Sequence, residues 1–108
     1  MSNYLLIETQ DPLEFKDTEN FISLAKDLKT QGNSIVYYLV ENGVFPARRC
    51  SFSSTLESLL KMGVTIYADK FSLKERGISK NVMLSGLKIV DTDEIIDLIA
   101  DGHKTLWH

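Results

Sequence analysis

The sequence predicts an α/β fold, a single three-layer α/β/α domain over residues 1–108 with a mostly parallel sheet of about five strands. Short apolar runs alternate with amphipathic stretches at helical spacing along the whole chain, which is typical of right-handed βαβ units. The run from Ser34 to Val40 is rich in β-branched and aromatic residues without polar alternation, as in a strand covered on both faces. With 44% hydrophobic residues, the chain is long enough to bury its own core.

The first half of the chain predicts two strands with a helix between them. Residues 4–8 form a short apolar run, and Pro12 then marks a loop because it lacks a backbone donor. A helix begins at Asp17 or Thr18, either of which is a good N-cap, and ends at Gly32. The second strand covers residues 34–40.

The second half continues the alternation. Asn42-Gly43 predicts a turn that opens a polar loop, followed by a helix from Ser53 or Ser54 to Gly63. The remaining elements are a strand over 64–68, a short helix over 70–76 closed by Gly77, a flexible connection over 79–86, a strand over 87–90, a helix after Asp91 and a last strand over 104–107.

Composition narrows the classes of function. The net charge of −3 offers no general attraction to phosphate backbones, so direct nucleic-acid binding is not expected. No apolar run is long enough to span a membrane, and one cysteine with no signal-like start predicts a cytoplasmic protein. A glycine-rich phosphate loop is missing, so no cofactor is expected. Cys50, His103 and His108 do not have the spacing of a metal site, and the two histidines are expected to be surface residues of the last strand.

The carboxyl ends of the predicted strands define the expected ligand-binding rim, because ligands gather there in open parallel sheets. Four segments reach this rim: residues 9–12, residues 42–50, Asp69-Lys70 and Asp91-Thr92. We take Asn42, Asp69 and Lys70 as candidate binding residues on these grounds.

Cys50, the only cysteine, follows Arg48 and Arg49 and precedes a predicted helix start. Guanidinium groups and the free N–H groups of a helix start both favour a thiolate, so Cys50 is the candidate catalytic residue and the two arginines are candidate binding residues. Two alternatives stay open. The cysteine can be a small unreactive hydrophobe, and the arginines can form an anion-binding lip or a solvated loop.

Three segments carry a resemblance to a known family. They are Ile35 to Val44, which is a strand followed by Glu-Asn-Gly-Val; Thr65 to Ile78, which is a strand and short helix ending in Arg-Gly; and Val90 to Leu98, with Trp107 near the end. Together they are similar to the DsrE/DsrF/DsrH superfamily of small sulfur-relay proteins, and look closest to its DsrH or TusB branch.

The resemblance implies a cytoplasmic homo- or hetero-oligomer with DsrE- or DsrF-like subunits. Such an assembly receives persulfide sulfur from a donor protein and passes it toward tRNA 2-thiouridine formation or sulfur oxidation. In the DsrE branch the sulfur-carrying cysteine lies where the third strand meets its short helix. This sequence has Asp69 there, and an aspartate cannot hold a persulfide.

Three functions therefore remain open at the level of sequence. The chain is a sulfurtransferase subunit that uses Cys50, a non-catalytic assembly module that holds a cysteine-bearing partner, or a sensor that binds small anions with Arg48, Arg49 and Lys70.

Overall fold

The computed structural model describes residues 1–48 and 53–108, and these residues form one parallel sheet of five strands. The strands are β1 (Asn3–Glu8), β2 (Ser34–Leu39), β3 (Thr65–Asp69), β4 (Lys88–Val90) and β5 (Lys104–Trp107). The helices are α1 (Thr18–Thr30), α2 (Ser53–Lys61), α3 (Lys70–Glu75) and α4 (Thr92–Ala100), with short 3-10 turns over Glu41–Ala47 and Lys80–Val82.

The strand order is β4-β3-β2-β1-β5, and every neighbouring pair is parallel. The predicted α/β fold is therefore confirmed. The chain adds β2, β3 and β4 on one side of β1 and then returns through α4 to place β5 on the other side. In the described part of the chain, no helix is long and apolar enough to cross a membrane.

Two apolar clusters cover the two faces of the sheet. On the first, the α1 face, strand residues such as Leu6, Tyr37 and Ile66 pack with side chains of α1 and α2. On the second, the α4 face, Leu5, Ile7, Val36, Tyr38 and Val90 pack with Ile95 of α4. The alternation within each strand explains the division, because successive side chains of a strand point to opposite faces.

The helix ends agree with the sequence signals. Gly77 follows Arg76, the C-cap of α3, and adopts a positive φ of 64°, a conformation that glycine reaches without steric cost. The chain then turns back, and the Ile78 amide donates to the Leu73 carbonyl oxygen at 2.9 Å. This is the helix-closing arrangement that Gly77 predicts.

Two connections differ from their predictions. The residues after β2 were expected to form a polar loop, but Glu41–Ala47 is a 3-10 turn that buries Val44 and Ala47 in the core. The connection over 79–86 was expected to be flexible, yet Met83 is buried and forms an antiparallel bridge with Arg48, and the Leu84 amide donates to the Ala47 carbonyl oxygen at 2.8 Å. In both cases apolar side chains inside a turn-rich segment anchor it to the core.

Candidate functional site

The carboxyl ends of β2 and β3 bring most of the predicted rim residues together. Asn42 lies in the turn after β2, Asp69 ends β3, and Lys70 begins α3. Arg48 follows the same turn as Asn42. Arg49 and Cys50 lie outside the described residues, so their candidate roles remain predictions from the sequence.

Asp69 is buried, and each of its carboxylate oxygens accepts hydrogen bonds. Oδ2 accepts from the Ser72 amide at 2.9 Å and from the Ser72 hydroxyl at 2.7 Å, while Oδ1 accepts from the Tyr38 hydroxyl at 2.9 Å. The bond to the Ser72 amide makes Asp69 the N-cap of α3. Burial and the bond to Asp69 raise the pKa of Tyr38, so the phenol stays protonated and continues to donate.

Ser72 connects this carboxylate to the turn after β2. Its hydroxyl accepts from the Glu41 amide at 2.8 Å while donating to Asp69. Glu41 has a φ of 55°, which is uncommon for a residue with a side chain. Hydrogen bonds thus connect Tyr38, Asp69 and Ser72 to the Glu41 backbone and stabilise it in this conformation. We call these linked residues the Asp69 cluster.

The guanidinium groups of Arg48 and Arg76 both contact the ring of Phe45, which lies in the turn after β2. The Arg48 and Arg76 guanidinium carbons lie 5.6 and 5.9 Å from the centre of the Phe45 ring. Arg76 also donates to the Asn42 side-chain oxygen through Nε at 3.1 Å and Nη2 at 3.0 Å. In the described part of the chain, neither arginine has a carboxylate within 4.0 Å. The rim therefore presents positive charge that no carboxylate of these residues neutralises.

Arg48, Asn42, Asp69 and Lys70 are candidates from the sequence, whereas Arg76, Tyr38 and Ser72 enter the site only through the structure. The sequence predicts Arg76 only as the last residue of the short helix over 70–76, and in the structure it is the C-cap of α3. The hydroxyls of Tyr38 and Ser72 reach Asp69 only because β2 and β3 are neighbours in the sheet. A sequence signal existed for the contact to the Ser72 amide, since an aspartate directly before a predicted helix is a preferred N-cap and accepts from the amide two or three residues on. The bond to the Ser72 hydroxyl has no such signal.

A second polar cluster lies where β1 and β5 end side by side. Glu8 is almost fully buried, and its Oε2 lies 2.8 Å from Nδ1 of His108. Nε2 of His108 lies 3.3 Å from Asp17, and the ring stacks on Phe21 with centroids 5.4 Å apart. The sequence predicted His103 and His108 to be surface residues of a last strand. His108 is instead a partly buried link between two carboxylates.

The ionisation of this cluster follows from its contacts. Burial raises the pKa of Glu8. At His108 burial alone would lower the pKa, but the hydrogen bonds to Glu8 and Asp17 outweigh it and raise the pKa. An imidazole whose two nitrogens both face carboxylates is satisfied only when both nitrogens carry protons, so the geometry favours the imidazolium.

Neither cluster has the form of a metal centre. The two carboxylates contact opposite sides of the His108 ring, so their oxygens do not converge with a ring nitrogen on one point. Across residues 1–48 and 53–108, no group of three histidine, cysteine or carboxylate side chains has the geometry to hold a metal ion. Among the described residues, the rim therefore offers guanidinium groups and hydrogen-bonding side chains, and not a set of metal ligands.

The chain is similar to known proteins in sequence pattern and in fold. The model of the DsrE/DsrF-like family matches residues 16–107. No curated protein sequence matches significantly. Among solved structures, the YchN protein of E. coli superimposes with a TM-score of 0.90 at 20% identity, covering 100% of both chains. A protein of unknown function from Methanobacterium thermoautotrophicum gives 0.83 at 20% identity, covering 97% of this chain and 96% of that one.

A third similar structure is a conserved protein of unknown function from Bacteroides thetaiotaomicron. It has a TM-score of 0.74 at 19% identity and covers 98% of this chain and 95% of its own. At these identities the structural likeness establishes the shared fold.

Proposed function

Since the chain belongs to the DsrE/DsrF-like family, we propose that it is a small sulfur-relay subunit that accepts persulfide sulfur at the rim of its sheet. The observation that best supports this function is the cationic rim formed by Arg48, Arg76 and Phe45. A persulfide is more acidic than a thiol and reacts as an anion, so unneutralised guanidinium groups favour its approach.

Cys50 is the proposed acceptor, because it follows Arg48 by two residues. Its thiolate attacks the outer sulfur of a donor persulfide, the donor's S–S bond breaks, and the donor cysteine leaves as a thiolate. The outer sulfur is thereby transferred to Cys50 as a new persulfide. The step is an exchange, so it needs no added oxidant or reductant.

The test is intact-mass analysis after incubation with a cysteine desulfurase and cysteine. We expect a gain of one sulfur atom on the wild type, reversed by a thiol reductant, and no gain on Cys50→Ser. Arg48→Gln should slow the loading, whereas Lys104→Gln, which removes an exposed cation from β5, should not. A wild type without any adduct would refute a carrier role for Cys50.

A second candidate function is favoured by Asp69. The resemblance expects the carrier cysteine at this position, and here a carboxylate caps α3 and binds Tyr38 instead. A chain with this arrangement is suited to an assembly module that holds a cysteine-bearing DsrE- or DsrF-like subunit in a homo- or hetero-oligomer. The relay would then depend on its surface and not on its thiol.

Sulfur loading of a cysteine-bearing DsrE-like partner separates the two functions. If the chain is an assembly module, wild type and Cys50→Ser accelerate loading of the partner equally. If Cys50 carries sulfur, only the wild type does so. Either form of the proposal assigns the protein to the cytoplasm, with the TusB-like tRNA thiolation pathway or sulfur oxidation as its destination and with RNA contacted through other subunits.

A further inference from the structure

Helix α4 exposes apolar side chains next to acidic ones. Ile96 and Ile99 are 55% and 48% exposed, and their spacing of three residues places them on adjoining turns of the helix. Asp93 and Asp97 are exposed beside them. Helix α4 contains no lysine or arginine, so its outward surface is apolar and negative. The sheet is already packed against the opposite side of the helix through Ile95.

A groove of about 380 Å³ with the complementary character lies beside α3. Its floor is apolar and consists of Leu73, Ile78 and Ile89, and Lys70 and Lys74 stand at its border. Both lysines are exposed. Neither ammonium group has a carboxylate within 4.0 Å among residues 1–48 and 53–108. We call this feature the α3 groove.

The groove and the outward surface of α4 cannot meet within one molecule. The floor residues Leu73, Ile78 and Ile89 belong to the core of the α1 face. Ile95 and Leu98 of α4 belong to the core of the α4 face, on the other side of the sheet. Any contact between the two surfaces therefore joins two copies of the chain.

We propose that α4 of one copy docks in the α3 groove of a second copy, with Ile96 and Ile99 against the apolar floor and Asp93 and Asp97 facing Lys70 and Lys74. The charges select this pairing. A symmetric contact between two α4 helices would oppose carboxylates to carboxylates, and like charges across an interface oppose association. The contact joins unlike surfaces, so an assembly of any length keeps one free groove at one end and one free α4 at the other until it closes into a ring. This inference does not depend on the sulfur chemistry proposed above.

Charge reversal tests the proposal by sedimentation velocity over a concentration series. The groove variant Lys70→Glu/Lys74→Glu and the helix variant Asp93→Lys/Asp97→Lys should each associate at least about tenfold more weakly than the wild type, as expected when a close charge pair is reversed. The variant with all four substitutions should recover association, because attraction is restored with the signs exchanged. An equimolar mixture of the groove and helix variants should recover it as well.

Matched controls are Lys16→Glu and Asp27→Lys, which change exposed charges in the loop before α1 and on α1. These should associate like the wild type, and urea unfolding of each variant establishes that it is folded. A wild type that remains monomeric at every concentration overturns the proposal. So does a folded four-substitution variant that fails to associate, or a groove variant that associates as the wild type does.

Discussion

Asp69 occupies the position where the family resemblance expects a sulfur-carrying cysteine, and its environment is built for a carboxylate. Three donors from Tyr38 and Ser72 converge on its two oxygens in a buried setting. A thiol accepts hydrogen bonds weakly, so a cysteine in this place would leave those donors poorly satisfied. Both the surrounding side chains and the backbone amide of Ser72 therefore suit a carboxylate at this position.

Removal of this carboxylate gives the first stability prediction. Asp69→Ala should lower the free energy of unfolding by about 2–4 kcal/mol, because it removes a helix cap and leaves buried donors without an acceptor. Tyr38→Phe should cost about 1 kcal/mol in the wild type and much less in the Asp69→Ala background. Urea denaturation of the four proteins measures the coupling. Equal costs of Tyr38→Phe in both backgrounds would show that the bond to Asp69 contributes nothing.

His108 gives a prediction about pH. Its pKa and that of Glu8 are both raised in the folded protein, so the folded state holds protons more tightly than the unfolded state. The stabilisation from His108 is fully present below its unfolded pKa of about 6.5 and is lost as the pH rises through the higher folded pKa. The free energy of unfolding should therefore fall as the pH rises above about 6.5, and it should level off once the pH exceeds the higher folded pKa.

Urea unfolding of His108→Gln across this pH range checks the assignment, because glutamine can form hydrogen bonds but does not titrate. The variant should lose most of the decline with pH that the wild type shows. His103→Gln is the matched control, since His103 contacts the Leu98 carbonyl oxygen and should leave the decline in place. A His108→Gln protein with the wild-type slope would contradict the prediction.

At the scale of elements, the turn over Glu41–Ala47 packs closely against the end of β1. It depends on a close approach between Gly43 and the end of β1, where the Glu8 carbonyl oxygen also accepts from the Val40 amide at 3.1 Å. A side chain at residue 43 would overlap that oxygen, and its Cβ would lie 2.9 Å from the Glu8 carbonyl carbon. Only glycine lets the turn pack this closely.

Gly43→Ala should for this reason lower the free energy of unfolding by more than about 2 kcal/mol, since backbone atoms must move to relieve the overlap. Gly32→Ala is the comparison. It imposes strain at a φ of 92° but meets no atom within 4 Å, so its cost should stay near 1 kcal/mol, as for alanine at a positive φ. Urea denaturation ranks the two, and equal costs would argue against the close approach.

The elements themselves were largely predictable because each leaves a local signal. Three such signals are each readable within a few residues: the uninterrupted run from Ser34 to Val40, the start of α1 at Asp17 and Thr18, and the glycine that follows α3. The turn after β2 was misjudged for a physical reason. Asn42-Gly43 has the composition of a solvent-exposed turn, whereas the burial of Val44 and Ala47 depends on the packing of neighbouring elements.

At the scale of the whole molecule, the order of strands decides which distant residues meet. Glu8 and His108 are 100 residues apart in sequence and touch only because β5 is added beside β1. The sequence predicts both strands but contains no local indication of their adjacency. The Asp69 cluster was partly predictable for the opposite reason, since its N-cap contact to Ser72 spans three residues.

The position of β1 also has a consequence for how the chain is made. This strand (residues 3–8) is synthesised well before its partner β5 (residues 104–107), because the other three strands and all four helices lie between them in the chain. Until then one edge of β1 has unpaired amide and carbonyl groups, the kind of edge at which strands from different chains join and aggregate. Translation that stops after α4 would yield a chain with four of the five strands and this central edge open.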